Sequence, residues 1–103
     1  MAIGAGKTKK IAASGVISTA GKSAIVRAIT LLSGTADCSI IIEDGGSGGT
    51  EKWKLSLDGT TAAGETATSV AFGDTGILCE TDAYGTLTGA AAIAYILYDE
   101  IEA

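Results

Sequence analysis

The chain has 103 residues, 47% of them hydrophobic and only 5% aromatic, with 15 glycines, no proline, no histidine and a formal charge of −5. That length suits one small domain. The lack of histidine removes the imidazole general base, the Ser–His–Asp and Cys–His pairs and any His-ligated metal. Net negative charge disfavours bulk nucleic-acid binding, which needs clustered Lys and Arg. These exclusions point away from an enzyme and towards a protein that works through its surfaces.

Residues 1–7 are small and lack turn or strand signals, so they are expected to form a flexible N-terminal arm ahead of a single domain over 8–103. No signal-peptide apolar stretch occurs there, and the longest apolar run, 90–97, is far short of the ~20 residues that cross a membrane. Synthesis in a cytoplasm, with no membrane partner, is therefore expected. Lys7, Lys9 and Lys10 place three lysines at the start of the first strand, 8–13. On a sheet edge such a run blocks unwanted pairing. On an arm it would reach an acidic neighbour, and these lysines are candidate interface residues.

A second strand is expected at 15–20. Residues 24–32 fit either two helical turns or a strand, and β-branched Ile25, Val26, Ile29 and Thr30 favour the strand. Up to residue 36 the chain carries five bases (Lys7, Lys9, Lys10, Lys22, Arg27) and no acid. Residues 37–103 carry two bases and all twelve acids, so the two segments hold +5 and −10. One consequence would be an electropositive edge meeting an electronegative surface on a neighbouring subunit.

Further strands are expected at 37–43 and 51–57, joined by the glycine-rich hairpin loop 44–49. Trp53, Leu55 and Leu57 alternate with Lys52, Lys54 and Ser56, which predicts that Trp53 faces the core. A loop opens at Asp58 and runs to Gly64, followed by strands at 66–72 and 76–80 and a short one at 84–88. The last strand, 91–98, is apolar on both faces. It must be central in a sandwich or covered by a neighbour. Turn signals every 8–12 residues are those of a sandwich or barrel. The expected fold is all-β: a two-sheet antiparallel β-sandwich with jelly-roll-like connections and about eight strands.

Cys38 and Cys79 sit in apolar runs without a CxxC motif and are expected to be buried free thiols. The segments Gly4-Ala5-Gly6-Lys7-Thr8 and Gly21-Lys22-Ser23 only resemble the end of a phosphate-binding loop. The first lacks the upstream strand and glycine, and the second has the wrong glycine spacing. Asp37, Glu43, Asp44, Asp58, Asp74, Glu80 and Asp82 are too scattered for a calcium loop and read as turn residues. Paired-carboxylate hydrolysis would need an aromatic-walled cleft, which five aromatics hardly supply. No catalytic residue, cofactor or metal is expected. Trp53, Tyr84, Tyr95 and Tyr98 could form a sugar platform; Trp53 reads as core-facing, and Tyr98, beside Asp99 and Glu100, is the better surface candidate.

The run Gly15-Val16-Ile17-Ser18-Thr19-Ala20-Gly21-Lys22, the strand 24–32, the loop Gly45-Gly46-Ser47-Gly48-Gly49-Thr50, the pattern Phe72-Gly73-Asp74-Thr75-Gly76-Ile77-Leu78-Cys79 and the closing strand share a texture with one family. Over residues 14–98 the chain resembles the small virion structural proteins of tailed bacteriophages. The resemblance implies a non-enzymatic virion component. A capsid decoration or cement protein, stabilising contacts between major capsid subunits, is the first expectation. A head–tail connector or tail component is the second. A carbohydrate-binding module for host attachment is the alternative from another class. A homo-oligomer, trimer or dimer, is expected, with Lys7, Lys9, Lys10 and Tyr98 at its interfaces and no nucleic-acid partner.

Overall fold

The segment 24–32, ambiguous by periodicity, is a nine-residue strand in the computed structural model, which describes residues 2–3, 6–58, 67–73 and 75–102. Ala24 and Val26 are buried, and so are Ile29 and Leu31, with Arg27 and Ala28 between them half-buried. The alternation therefore slips by one residue. A β-bulge opposite the step from Leu97 to Tyr98 absorbs the slip, letting both halves of the strand bury the same face. That slip is what gave the sequence its helical look.

The described strands are β1 (Ala2–Ile3), β2 (Lys7–Ile11), β3 (Gly15–Val16), β4 (Ala24–Leu32), β5 (Cys38–Asp44), β6 (Thr50–Leu57), β7 (Ala67–Ala71), β8 (Ile77–Cys79), β9 (Ala83–Thr88) and β10 (Ile93–Glu102). All pairings are antiparallel, and the strands form two packed sheets, a β-sandwich. In the first sheet β10 lies centrally. It pairs with β4 on one side and with β1 and β2 on the other, while β7 and β8 share the far edge of β4. The second sheet runs β3–β9–β5–β6.

The expected strand at 84–88 is β9, and that at 15–20 shrinks to β3. Ile17 and Ser18 leave the ladder because both amides donate to the Ala83 carbonyl (2.8 and 3.4 Å), which lets Ile17 turn into the core. The hairpin between β5 and β6 is as expected. Gly45, Gly46 and Gly48 hold φ of 99°, 82° and 78°, a region where a side chain would be strained. Within the segment 1–7, Ala2–Ile3 pair with Ile101 and Glu102, and Lys7 begins β2, while Met1, Gly4 and Ala5 lie outside the described residues. Residues 59–66, which include most of the expected loop to Gly64, and Asp74 also lie outside them.

The core sits between the sheets and is aliphatic. Val26, Ile29, Leu31 and Ile96 from the first sheet meet Ile40 and Ile42 from the second, all fully buried. Each such side chain contributes roughly 1.5–3 kcal/mol by leaving water. Cys38 and Cys79 are both buried and unbonded. Burial pushes the Cys79 thiol up to about 11, and the Asp44 carboxylate adds to the shift.

Trp53 departs from its expected place in the core: it is 39% exposed. Its partner across the ladder is buried Ile42, so the indole does lie on the inward side. However, β6 is the edge of its sheet, and the ring is covered only in part, by Phe72 in an edge-to-face contact (centroids 5.0 Å apart). Alternation fixes which side a residue takes but not its depth at an edge.

Candidate functional site

The lysine strand β2 is the edge of the first sheet beside β10, with Lys7 opposite Tyr98, Lys9 opposite Ile96 and Lys10 opposite Tyr95. The three lysines do different things. Lys7 donates to Glu100 at 3.2 Å and is thereby held within the chain. Glu100 is only 3% exposed, yet it is well satisfied. One of its oxygens accepts both the Thr19 amide and the Thr19 hydroxyl at 2.7 Å. The Thr19 hydroxyl and amide bonds hold its carboxyl at about 2 despite burial, with Lys7 assisting. Lys9 and Lys10 are exposed and make no ion pair with the described residues. Successive residues of a strand point to opposite sides, so the two ammonium groups splay apart along the edge.

Tyr98 is not the surface residue expected from its acidic neighbours. It is 7% exposed and shares the inward phase with Ala94 and Ile96. Burial and the nearby Glu100 charge push its hydroxyl up, with Lys7 opposing. Neighbouring acids misled because Glu100 is itself buried. Tyr84 is half-buried, and Tyr95 is the exposed tyrosine of the three, at 39%.

Part of the charge division closes within the molecule. Besides Lys7 with Glu100, Arg27 donates through Nε to Asp99 at 2.9 Å across β4 and β10. Each pair joins the basic first third to the acidic remainder. Other acids fasten loops at one end of the sandwich. Asp44 accepts the amides of Thr81 (2.8 Å) and Glu80 (2.9 Å). Burial alone would raise the Asp44 carboxyl, but the amides of Thr81, Glu80 and Asp82 together bring it below its usual value. Asp82 accepts the Gly21 amide at 3.0 Å. Buried Glu43 accepts the Gly48 amide at 3.1 Å and the Thr86 hydroxyl. Among the described residues no three of these groups converge on a metal position, and no helix is long and apolar enough to cross a membrane.

The surface that stands out is the outward face of the first sheet. Among the described residues four large apolar side chains are exposed, and three of them (Leu78 46%, Leu97 42%, Tyr95 39%) belong to it. Ladder register arranges this face in rows across the strands. One row reads Lys10, Tyr95, Thr30, Ser69, and the next reads Thr8, Leu97, Ala28, Ala71. The hydroxyls of Thr30 and Ser69 meet at 2.9 Å, which ties β4 to β7 on this side. In these rows the only charge is Lys10, at the edge. The sequence signalled this face through the doubly apolar last strand. The structure satisfies that strand's inward half with the core and leaves its outward half open. Alternation alone does not pick out Tyr95 and Leu97, the projecting residues of this face, because it does not show which of the two phases meets the other sheet.

No family model, curated protein or solved structure matches the chain.

Proposed function

We propose that the protein is a non-enzymatic structural component of a bacteriophage virion, a capsid decoration or cement protein that stabilises contacts between major capsid subunits. The observation that carries this reading is the outward face of the first sheet, where Tyr95, Leu97 and Leu78 are exposed and the charges are Lys10 at the β2 edge and the Asp99–Arg27 pair. A flat apolar face with a charged rim suits burial against another protein. The strand order β2–β10–β4–β7 opposite β3–β9–β5–β6 supports a jelly-roll-like reading, an architecture that recurs in virus capsid proteins and lectins. That support is an analogy of fold alone. The partner is an acidic surface on the major capsid protein, and the protein's place is the virion.

The test is quantitative mass spectrometry of purified phage particles, paired with Lys9→Glu/Lys10→Glu. Removing residues 1–10 is the wrong perturbation, because it deletes β2 from the first sheet. Decoration predicts a copy on every capsomer and weaker retention of the charge-reversed variant, most visibly at raised salt. A copy number matching a single ring would move the protein to the head–tail connector or tail. Absence from particles, together with a positive glycan array, would replace the reading with a carbohydrate-binding module.

A further inference from the structure

We propose that two copies of the chain pack face to face through the outward side of the first sheet, about a two-fold axis running parallel to the strands between β10 and β4. This deepens the structural role proposed above and rests on it: the second copy takes the apolar face, and the exposed lysines of the β2 edge are left to meet the capsid subunit. The two central strands carry opposite relief. On β10 the outward residues of the middle rows are Tyr95 and Leu97, which project and are 39% and 42% exposed. Directly beside them on β4 are the small residues Thr30 and Ala28. Rotation about an axis between these strands lays each β10 over the partner's β4. Tyr95 then rests on the partner's Thr30, and Leu97 on the partner's Ala28. One patch serves as both ridge and trough, as an isologous contact requires.

Charge and relief both select this axis over the other in-plane choice. A two-fold perpendicular to the strands would lay β10 on β10, with Tyr95 and Leu97 of the two copies colliding. It would also place the two β2 edges together, each carrying Lys10 on this face. The parallel axis carries Lys10 away from its mate and over the β7 edge, where its row ends in Ser69. The small residues of β7, Ser69 and Ala71, leave that approach unobstructed. Only the rows nearest the axis stay aligned, because packed sheets twist by about 30° relative to each other.

The size of the face sets how strong the contact is. Four strand positions at about 4.8 Å and the length of Ile93 to Asp99 at about 3.3 Å per residue give a patch of roughly 20 by 20 Å. Two such patches bury about 800 Å² in total, below the roughly 1,200 Å² of stable specific interfaces and in the range of weak, transient ones. The dimer is therefore concentration-dependent rather than obligate.

The test is sedimentation velocity of the full chain over a concentration series, with two variants and a cross-linking pair. The wild-type mass should move from monomer to dimer as concentration rises. Leu97→Lys, at an exposed position, should weaken dimerisation at least tenfold while retaining the wild-type circular dichroism spectrum. Ala28→Trp, which fills the trough, should do the same by a different route. Lys10→Cys combined with Ser69→Cys should give a dimer with a short bismaleimide, whereas Lys10→Cys alone should not. A wild-type chain that stays monomeric at every concentration, or a Leu97→Lys protein that still dimerises, overturns the proposal. Cross-linking by Lys10→Cys alone overturns the axis. A monomer that still decorates particles, and loses them on Leu97→Lys, gives the face to another protein and leaves the structural role standing. A dimer that is absent from particles does the reverse.

Discussion

Replacing Glu100 by glutamine isolates the value of one buried charge, because the amide carbonyl can still accept the two Thr19 bonds. The Glu100 carboxyl titrates at about 2 in the folded chain against 4.5 for a free glutamate. At about 1.4 kcal/mol per pKa unit, the ionised form is worth on the order of 3 kcal/mol to the folded state. The folded pKa is depressed, so this contribution is fully present above pH 4.5 and disappears as pH falls towards 2. In a domain this size each kcal/mol moves Tm by about 4–8 °C, so Glu100→Gln should melt on the order of ten degrees lower at pH 7. Urea unfolding of both proteins from pH 7 to pH 2 is the assay. The two stability curves should be separated at neutral pH and converge as the wild type is acidified. Parallel curves through that range, or a neutral-pH loss below about 0.5 kcal/mol, would refute the assignment of this carboxylate as a buried, stabilising anion.

Three further outcomes follow from the packing. Gly34→Ala should cost roughly 2–3 kcal/mol in chemical denaturation, because an added Cβ would run into the Ala90 carbonyl oxygen, which is backbone and cannot step aside. Trp53 fluorescence should be quenched readily by acrylamide in the native state, and Trp53→Ala should cost less than the ~3 kcal/mol typical of a buried indole; a shielded indole would return Trp53 to the core. Neither Cys38 nor Cys79 should react with a thiol reagent at pH 8 until denaturant is added, since both are buried and the Cys79 thiol is raised to about 11.

Strand positions were legible because period two survives wherever one face meets a core. Residues 24–32 show the limit, since a single bulge made a strand mimic a helix. Lys7 shows another. Its partner Glu100 lies 93 positions away, and no local pattern links the two. Tyr98 is buried although two acids follow it, because Glu100 is itself supported from within by Thr19 and Lys7. The candidate surface was half legible. Alternation marked β10 as apolar on both sides, but only the register of β2, β4 and β7 shows which small residues flank Tyr95 and Leu97.

The central position of β10 also governs how the molecule comes together in time. Strands β2 and β4 have no common neighbour until residues 93–102 are available to lie between them. Most ladder contacts of the first sheet therefore join positions far apart along the chain. Domains built this way fold in milliseconds to seconds rather than microseconds, because long loops must close before pairing stabilises them. During synthesis the aliphatic faces of β4 and β5 wait uncovered for that last strand. Arg27, within β4, places a charge in that stretch, which opposes premature association.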